Sequence, residues 1–314
     1  MPNLVESRDA FAQALLELGE ENPNVTVLTA DLATSTKVGV FAKRFPNRFI
    51  DVGIAEQNMI SIAAGLATCG KIPIVSTLAV FASERVCNQV MISVAYPKLN
   101  VKIVGTHGGI SVGKDGATHQ SICDLAIMRS IPGMVVMAPY ANVETRKCVK
   151  AAANYVGPVY IRLGREPVPE IFDETYDFHI GKAVVLKDGG DATIVANGLM
   201  IHEALKAYEK LLLEGIKTEV IDLHTIKPID VNTISKAARE TGGIVTAEEH
   251  NIYGGVGSAV AEVVVENYPV PMIRVGLKDT FGESGVPYDL LKKYGLVDIN
   301  IVDAVKSIIE KKKR

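Results

Sequence analysis

Ile72-Pro-Ile-Val-Ser-Thr77, then a helix-spaced stretch over 81–95, then Asn100-Val-Lys-Ile-Val-Gly-Thr106 decide the fold. Two short β-branched runs joined by a helix of this length must lie parallel, because a tight hairpin cannot connect them. The same rhythm extends in both directions. Upstream are a helix over 6–19, the strand Val25-Thr-Val-Leu-Thr-Ala30 and an Ala-rich helix over 55–69. Downstream are a helix near 121–129, the strand Met134-Val-Val-Met137, a helix at 142–153 and the strand Pro158-Val-Tyr-Ile-Arg162. Parallel strands separated by helices predict a sheet covered on both faces.

Residues 166–180, with Pro167, Pro169 and Asp173-Glu174, break this rhythm. A second series follows. Its strands are predicted at 191–196, 218–222, 243–247 and 272–275, and its helices near 199–214, 230–240 and 256–266. The expected fold class is α/β, with two doubly wound domains at 1–170 and 185–314 joined by a linker at 171–184. The 314 residues suit two domains.

Composition narrows the function. Hydrophobic residues make up 48% and the net charge is −3. That balance gives no cause to expect nucleic acid or a membrane surface as partner. Met1-Pro2-Asn3 leads into no apolar h-region, so no signal peptide is expected, and no apolar run reaches the roughly 18 residues of a membrane span. Cys69, Cys87, Cys123 and Cys148 are widely spaced, so free thiols and a cytoplasmic location are expected. Metal-ligand spacings such as HExxH are absent, so no metal site is expected from this chain alone. Lys311-Lys-Lys-Arg314 reads as a short solvated tail.

Ligands of open parallel sheets bind at the carboxyl ends of the strands. Asp31 and Ser35, the turn Thr77–Phe81 and the loop 106–120 all fall there. Three strings carry chemistry. In Asp51-Val-Gly-Ile-Ala-Glu-Gln-Asn-Met59, Glu56 opens a helix, where the dipole alone would favour an acid. Gly105–Gln120 holds His107, Asp115 and His119 among five glycines. Such a loop reads by itself as mobile polar surface, but two histidines directly after a strand favour a site. Tyr160-Ile-Arg-Leu-Gly-Arg-Glu-Pro167 places Arg165 where a forked guanidinium could hold a phosphate or carboxylate. Gly254-Gly-Val-Gly257 lacks the full GxGxxG and reads as a packing turn, and Asp279–Gly285 as a surface turn.

Together these strings resemble the thiamine-diphosphate-dependent transketolase family over essentially the whole chain. Gly53-Ile-Ala-Glu-Gln-Asn-Met59 is similar to the segment carrying the family's activating glutamate. Thr106-His-Gly-Gly-Ile-Ser-Val-Gly-Lys-Asp-Gly-Ala-Thr-His119 is similar to its donor-substrate loop. The resemblance implies a pyrimidine-binding domain followed by the family's C-terminal domain. It implies that Glu56 hydrogen-bonds the cofactor's aminopyrimidine, that Phe81 stacks on that ring and that Asp31 lies near the cofactor. It also implies that His119 and Asp115 bond the donor's hydroxyls, while Arg8, Ser35, His107 and Arg165 hold the sugar phosphate. His107 and His119 join Glu56 as expected catalytic groups.

The family's diphosphate-binding GDG motif, with an Asn some residues on, is missing. Lys114-Asp-Gly116 and Asp188-Gly-Gly190 do not supply it. The chain therefore resembles the C-terminal subunit of a split transketolase. The implied partner is a separate N-terminal subunit carrying GDG…N. It would hold most of the thiamine diphosphate and its Mg²⁺ or Ca²⁺, in a heterotetramer that acts on sugar phosphates. Leu78 and Glu84 stand where the family often has aromatics, leaving Phe81 alone at the pyrimidine. The nearest alternatives are half of a 1-deoxy-D-xylulose-5-phosphate synthase and a non-catalytic binding or regulatory module. The synthase typically has an acid in place of His107.

Overall fold

The computed structural model describes residues 4–312; Met1-Pro2-Asn3 and the end of the basic tail, Lys313-Arg314, lie outside the described residues. The chain runs β1 Leu4–Val5, α1 Ser7–Glu21, β2 Val25–Thr29, α2 Gly39–Arg44, β3 Phe49–Asp51, α3 Glu56–Thr68, β4 Ile72–Leu78, α4 Ala79–Ser83, α5 Cys87–Gln89, β5 Lys102–Thr106, α6 Asp124–Ser130, β6 Val135–Met137, α7 Asn142–Asn154 and β7 Val159–Arg162. It continues β8 Val168–Pro169, β9 Val184–Lys187, β10 Ala192–Ala196, α8 Met200–Leu213, β11 Thr218–Asp222, β12 Thr225–Lys227, α9 Val231–Thr241, β13 Ile244–Asn251, α10 Val256–Asn267, β14 Met272–Leu277, α11 Pro287–Lys293 and α12 Asp298–Lys312.

Two mainly parallel sheets result, each flanked by helices. The first has strand order β12-β6-β7-β5-β4-β2-β3 and the second β14-β13-β10-β11-β9. Every neighbour pair in the first sheet is parallel except β12 with β6. Strand β9, antiparallel to β11, is likewise an edge. The central strands β2, β5 and β7 are buried along their whole length, as the unbroken apolar runs require.

Several expectations need correction. The helix over 81–95 is broken: α4 ends at Ser83, Val86 leaves helical geometry, and residues 90–95 form a π-helix. Ser83 Oγ donates to the Ala79 carbonyl at 2.7 Å, a back-bond that competes with regular helix. The linker is packed. Val168 pairs with Val5, the rings of Phe172 and Tyr176 stack at 4.1 Å, and Phe178 lies on His224. Strand β12, from the second half, adds an edge to the first sheet. Short strands β1, β3, β8 and β9 and helices α2, α11 and α12 also lie outside what periodicity predicts. In the basic tail, Lys312 is engaged, its Nζ donating to the carbonyls of Asp191 and Thr241. All four cysteines are free. Among the described residues no helix is long and apolar enough to cross a membrane, and no cluster of three or more metal-type side chains occurs.

The two halves share one apolar core, which runs from Met59, Ile60 and Val90 to Leu223, Ala238 and Val256. They also share a buried acid pair. Glu144 of α7 accepts from the Tyr140 backbone N–H at 2.7 Å and from the Tyr176 hydroxyl at 2.8 Å. Asp222, at the end of β11, faces it with both oxygens buried. Burial holds Glu144 up to about 7 and pushes Asp222 well above the ordinary carboxylate range, so the pair keeps a proton. The folded state then binds more protons than the unfolded chain between about pH 4 and pH 7, and stability falls as pH rises through that window. Asp222→Asn supplies an amide donor to Glu144 without a second charge. It is expected to flatten the pH dependence of the melting temperature between pH 5 and 8 and to raise it at pH 8 by about 3 °C. An unchanged slope would show that the pair does not govern this dependence.

Candidate functional site

Strand order explains why distant motifs meet. β7, β5, β4, β2 and β3 are consecutive neighbours. Arg165 follows β7, His107 to His119 follow β5, Phe81 follows β4, Asp31 and Ser35 follow β2, and Glu56 follows β3. All leave the sheet at its carboxyl edge, where five strand ends lie side by side.

Glu56 is the first residue of α3, whose Met59, Ile60, Ala63 and Ala64 are buried over the sheet. This packing drags Glu56 inside, to 3% exposure. Asp51 builds the turn before it, its Oδ1 accepting from the N–H groups of Asp31 at 2.9 Å and Gly53 at 3.0 Å. Asp31 itself sits at φ 58° with its side chain exposed. It therefore belongs to the Glu56 turn through its backbone. One Nη of Arg85 lies 3.0 and 2.9 Å from the two Glu56 oxygens. The Arg85 guanidinium carbon also sits 4.0 Å from the centroid of the Phe81 ring. Arg85 is a residue that sequence reasoning missed. The available signal was Phe81 and Arg85 four apart, the spacing that stacks side chains on a helical turn.

His119 meets Phe81 edge-on, with centroids 5.5 Å apart, and its Nδ1 pairs with the Thr118 hydroxyl at 3.0 Å. His107 is buried at φ 59°, a left-handed backbone that turns its ring toward α1. Its Nε2 is 3.3 Å from Arg8 Nη1 and its Nδ1 is 2.8 Å from the Thr106 hydroxyl. Guanidinium only donates, so Nε2 accepts and the proton resides on Nδ1. Burial, with Arg8, Arg165 and His119 nearby, lowers His107 to about 3, so its ring is neutral. Arg8 also donates to the Ser35 carbonyl at 3.0 Å and to Glu6 at 2.8 Å. Ser35 thus enters through its backbone. Arg165 donates to the Val112 carbonyl at 2.6 Å and pairs with Asp115 at 3.3 Å. The structure therefore joins Arg8, Ser35 and His107 in one contact chain and Arg165 with Asp115 in another. Glu56, Arg85, Phe81 and His119 form a third.

The loop 107–120 is largely buried at its start, against the reading of a mobile surface segment. Arg162, 3.2 Å from buried Asp124, donates to the carbonyls of Ser121 and Glu249 at 3.1 and 2.7 Å. Tyr160 donates to the same aspartate at 2.8 Å. Glu249 of β13 accepts from the Ser111 N–H at 2.5 Å. A side chain on Gly109, at φ +86°, would stand 2.2 Å from the Glu249 carboxyl carbon, so the glycine is required by this crossing from the second half. Segment 279–285 is also a packing element: Gln120 donates to the Glu283 carbonyl at 2.9 Å, and a Cβ on Gly282 would strike Gln120. The Gly254–Gly257 turn holds no vacancy for a phosphate. The Glu248 carboxylate accepts from the N–H groups of Val256 at 2.6 Å and Gly257 at 2.8 Å, filling the start of α10.

Fold and site define a two-domain α/β chain whose polar groups converge at the carboxyl edge of its first sheet. Residues 4–170 match the transketolase pyrimidine-binding domain and residues 181–301 the transketolase C-terminal domain. The chain belongs to the transketolase family. It is 46% identical over 305 residues to the 6-deoxy-6-sulfo-D-fructose transketolase subunit SqwH of Clostridium sp. strain MSTE9, covering 97% of this chain and 95% of that one. It is 47% identical over 310 residues to the putative transketolase C-terminal section of Methanocaldococcus jannaschii, covering 98% and 96%. A solved structure described as a split gene transketolase, inactive beta4 tetramer, superposes with TM-score 0.91 at 50% identity, covering 99% and 100%. Over its length the chain corresponds to the C-terminal subunit of a split transketolase.

Proposed function

We propose that this chain is the C-terminal subunit of a two-chain transketolase that moves a two-carbon ketol unit from a ketose phosphate, or a similarly anionic ketose, to an aldose phosphate. The observation that carries the reading is the gathering of Glu56, Phe81, His119, His107, Asp115 and Arg165 at adjacent strand ends, with Arg8 reaching them from α1. Thiamine diphosphate would supply the ketol-carrying chemistry. The residues fit its aminopyrimidine: Phe81 and Glu56 together already accept a flat, nitrogen-bearing group, the Arg85 guanidinium.

Each side chain then has a role. Phe81 presents an apolar face to the ring, and Glu56 exchanges a proton with it at a carboxylate oxygen. His119, in contact with Phe81, bridges the cofactor wall to the donor sugar. With Asp115 it bonds the donor's hydroxyls. His107, neutral and oriented by Thr106, offers Nε2 to the substrate. Arg8 and Arg165 supply the charge for an anionic sugar terminus, phosphate or sulfonate alike. Asp31 borders the cofactor, and the Ser35 carbonyl aims Arg8. No GDG motif is present, so an N-terminal subunit would hold the diphosphate with Mg²⁺ or Ca²⁺ and complete the site in a heterotetramer. The sulfo-sugar relative supports an anionic ketose donor.

Mixing the chain with its N-terminal subunit, thiamine diphosphate and Mg²⁺ and assaying ketol transfer tests this. No transfer by a folded mixture overturns it. Arg8→Ala is expected to raise KM for the phosphorylated substrate about 10- to 100-fold with kcat little changed, since it removes a charge-assisted contact remote from the reacting atoms. An unchanged KM would remove Arg8 from substrate binding.

A further inference from the structure

We propose that Arg85 is a positioning residue that holds the pyrimidine's place, stacking on Phe81 and pinning Glu56 until cofactor displaces it; this rests on the cofactor site proposed above. Arg85 makes the two contacts that site offers. Its guanidinium lies 4.0 Å from the Phe81 ring centroid and reaches both Glu56 oxygens at 3.0 and 2.9 Å. A guanidinium is planar, cationic and rich in N–H donors, so it satisfies an aromatic face and a carboxylate together. An aminopyrimidine offers the same flat shape and nitrogen edge. The His119 ring meets Phe81 as well, with centroids 5.5 Å apart, so the guanidinium and His119 share the surroundings of that ring.

Among the described residues Arg85 supplies the only hydrogen bonds to the Glu56 side chain. A buried carboxylate without a partner is costly, so the cofactor-free chain needs such a stand-in. Arg85 is also free to leave. Its side chain is 44% exposed, while its carbonyl accepts from Gln57 Nε2 at 3.0 Å. The backbone is thus anchored and the side chain can swing outward. The broken helix after Ser83 allows this arrangement, because a regular helix would use the Arg85 carbonyl internally.

Titration of thiamine diphosphate with Mg²⁺ into the assembled two-chain complex, followed by calorimetry, tests the proposal. Only the fraction with Arg85 swung out would be competent, and the apparent Kd scales inversely with that fraction. Arg85→Ala is therefore expected to tighten cofactor binding about tenfold while lowering the melting temperature of the cofactor-free chain. Arg85→Lys keeps the charge without the planar fork and falls between. A purely structural Arg85 would give a lower melting temperature with unchanged or weaker cofactor binding, and that result overturns the proposal. If the wild-type complex binds cofactor and neither variant binds it more tightly, only the role of Arg85 falls. If the wild-type complex binds no thiamine diphosphate, the cofactor site falls too.

Discussion

Glu56→Gln, assembled with the N-terminal subunit and saturated with thiamine diphosphate, is expected to lower kcat for ketol transfer by about 10²- to 10⁴-fold, the usual worth of a positioned proton-transfer group. The substitution keeps size and hydrogen-bonding capacity but removes the carboxyl's ability to exchange a proton. Glu56 is buried and rests on the well-packed α3, so its position should survive the change. Assembly, measured by sedimentation, should be unchanged. Near-normal turnover would take Glu56 out of the chemistry. Arg85 complicates the cofactor-free state in a useful direction: glutamine no longer forms an ion pair, so cofactor binding should not weaken along with turnover.

The second large effect concerns stability. Arg162→Met is expected to destabilise the chain by about 3–5 kcal/mol, because it strips a buried aspartate of its cation. Arg162 and Asp124 are 7% and 0% exposed. Arg162 also ties Ser121 to Glu249, so its loss loosens the loop carrying His107 and Asp115 from the second half. Denaturant unfolding of the single variant against the double variant Arg162→Met, Asp124→Asn measures the pair. The double variant should recover a large part of the loss. Equal instability in both would show that the carbonyl contacts, and not the ion pair, dominate.

The parallel strands and most of the helices are legible along the chain, because their apolar positions repeat at periods set by local geometry. Strands β12 and β9 are not, because they are short edges held by pairing with strands distant in sequence. The spacing over 81–95 fits a single helix, because apolar periodicity does not report Ser83's back-bond or the π-turn. Glu56, Phe81, His107, Asp115 and His119 were legible as strings, since each lies in a dense local motif. Arg85 and Glu249 were not. Each gains its meaning from a partner in another element: Arg85 from Glu56, 29 residues away, and Glu249 from Ser111, 138 residues away.

By itself, then, the sequence determined the alternating α/β architecture and the strings that mark the transketolase family, because periodicity and motif spacing are local properties. Tertiary structure alone decided which strand ends stand side by side, that the second half clamps the glycine loop, and that Arg85 lies against Glu56 and Phe81. Those outcomes depend on strand order and on contacts across the sheet, and both arise only when the chain closes on itself.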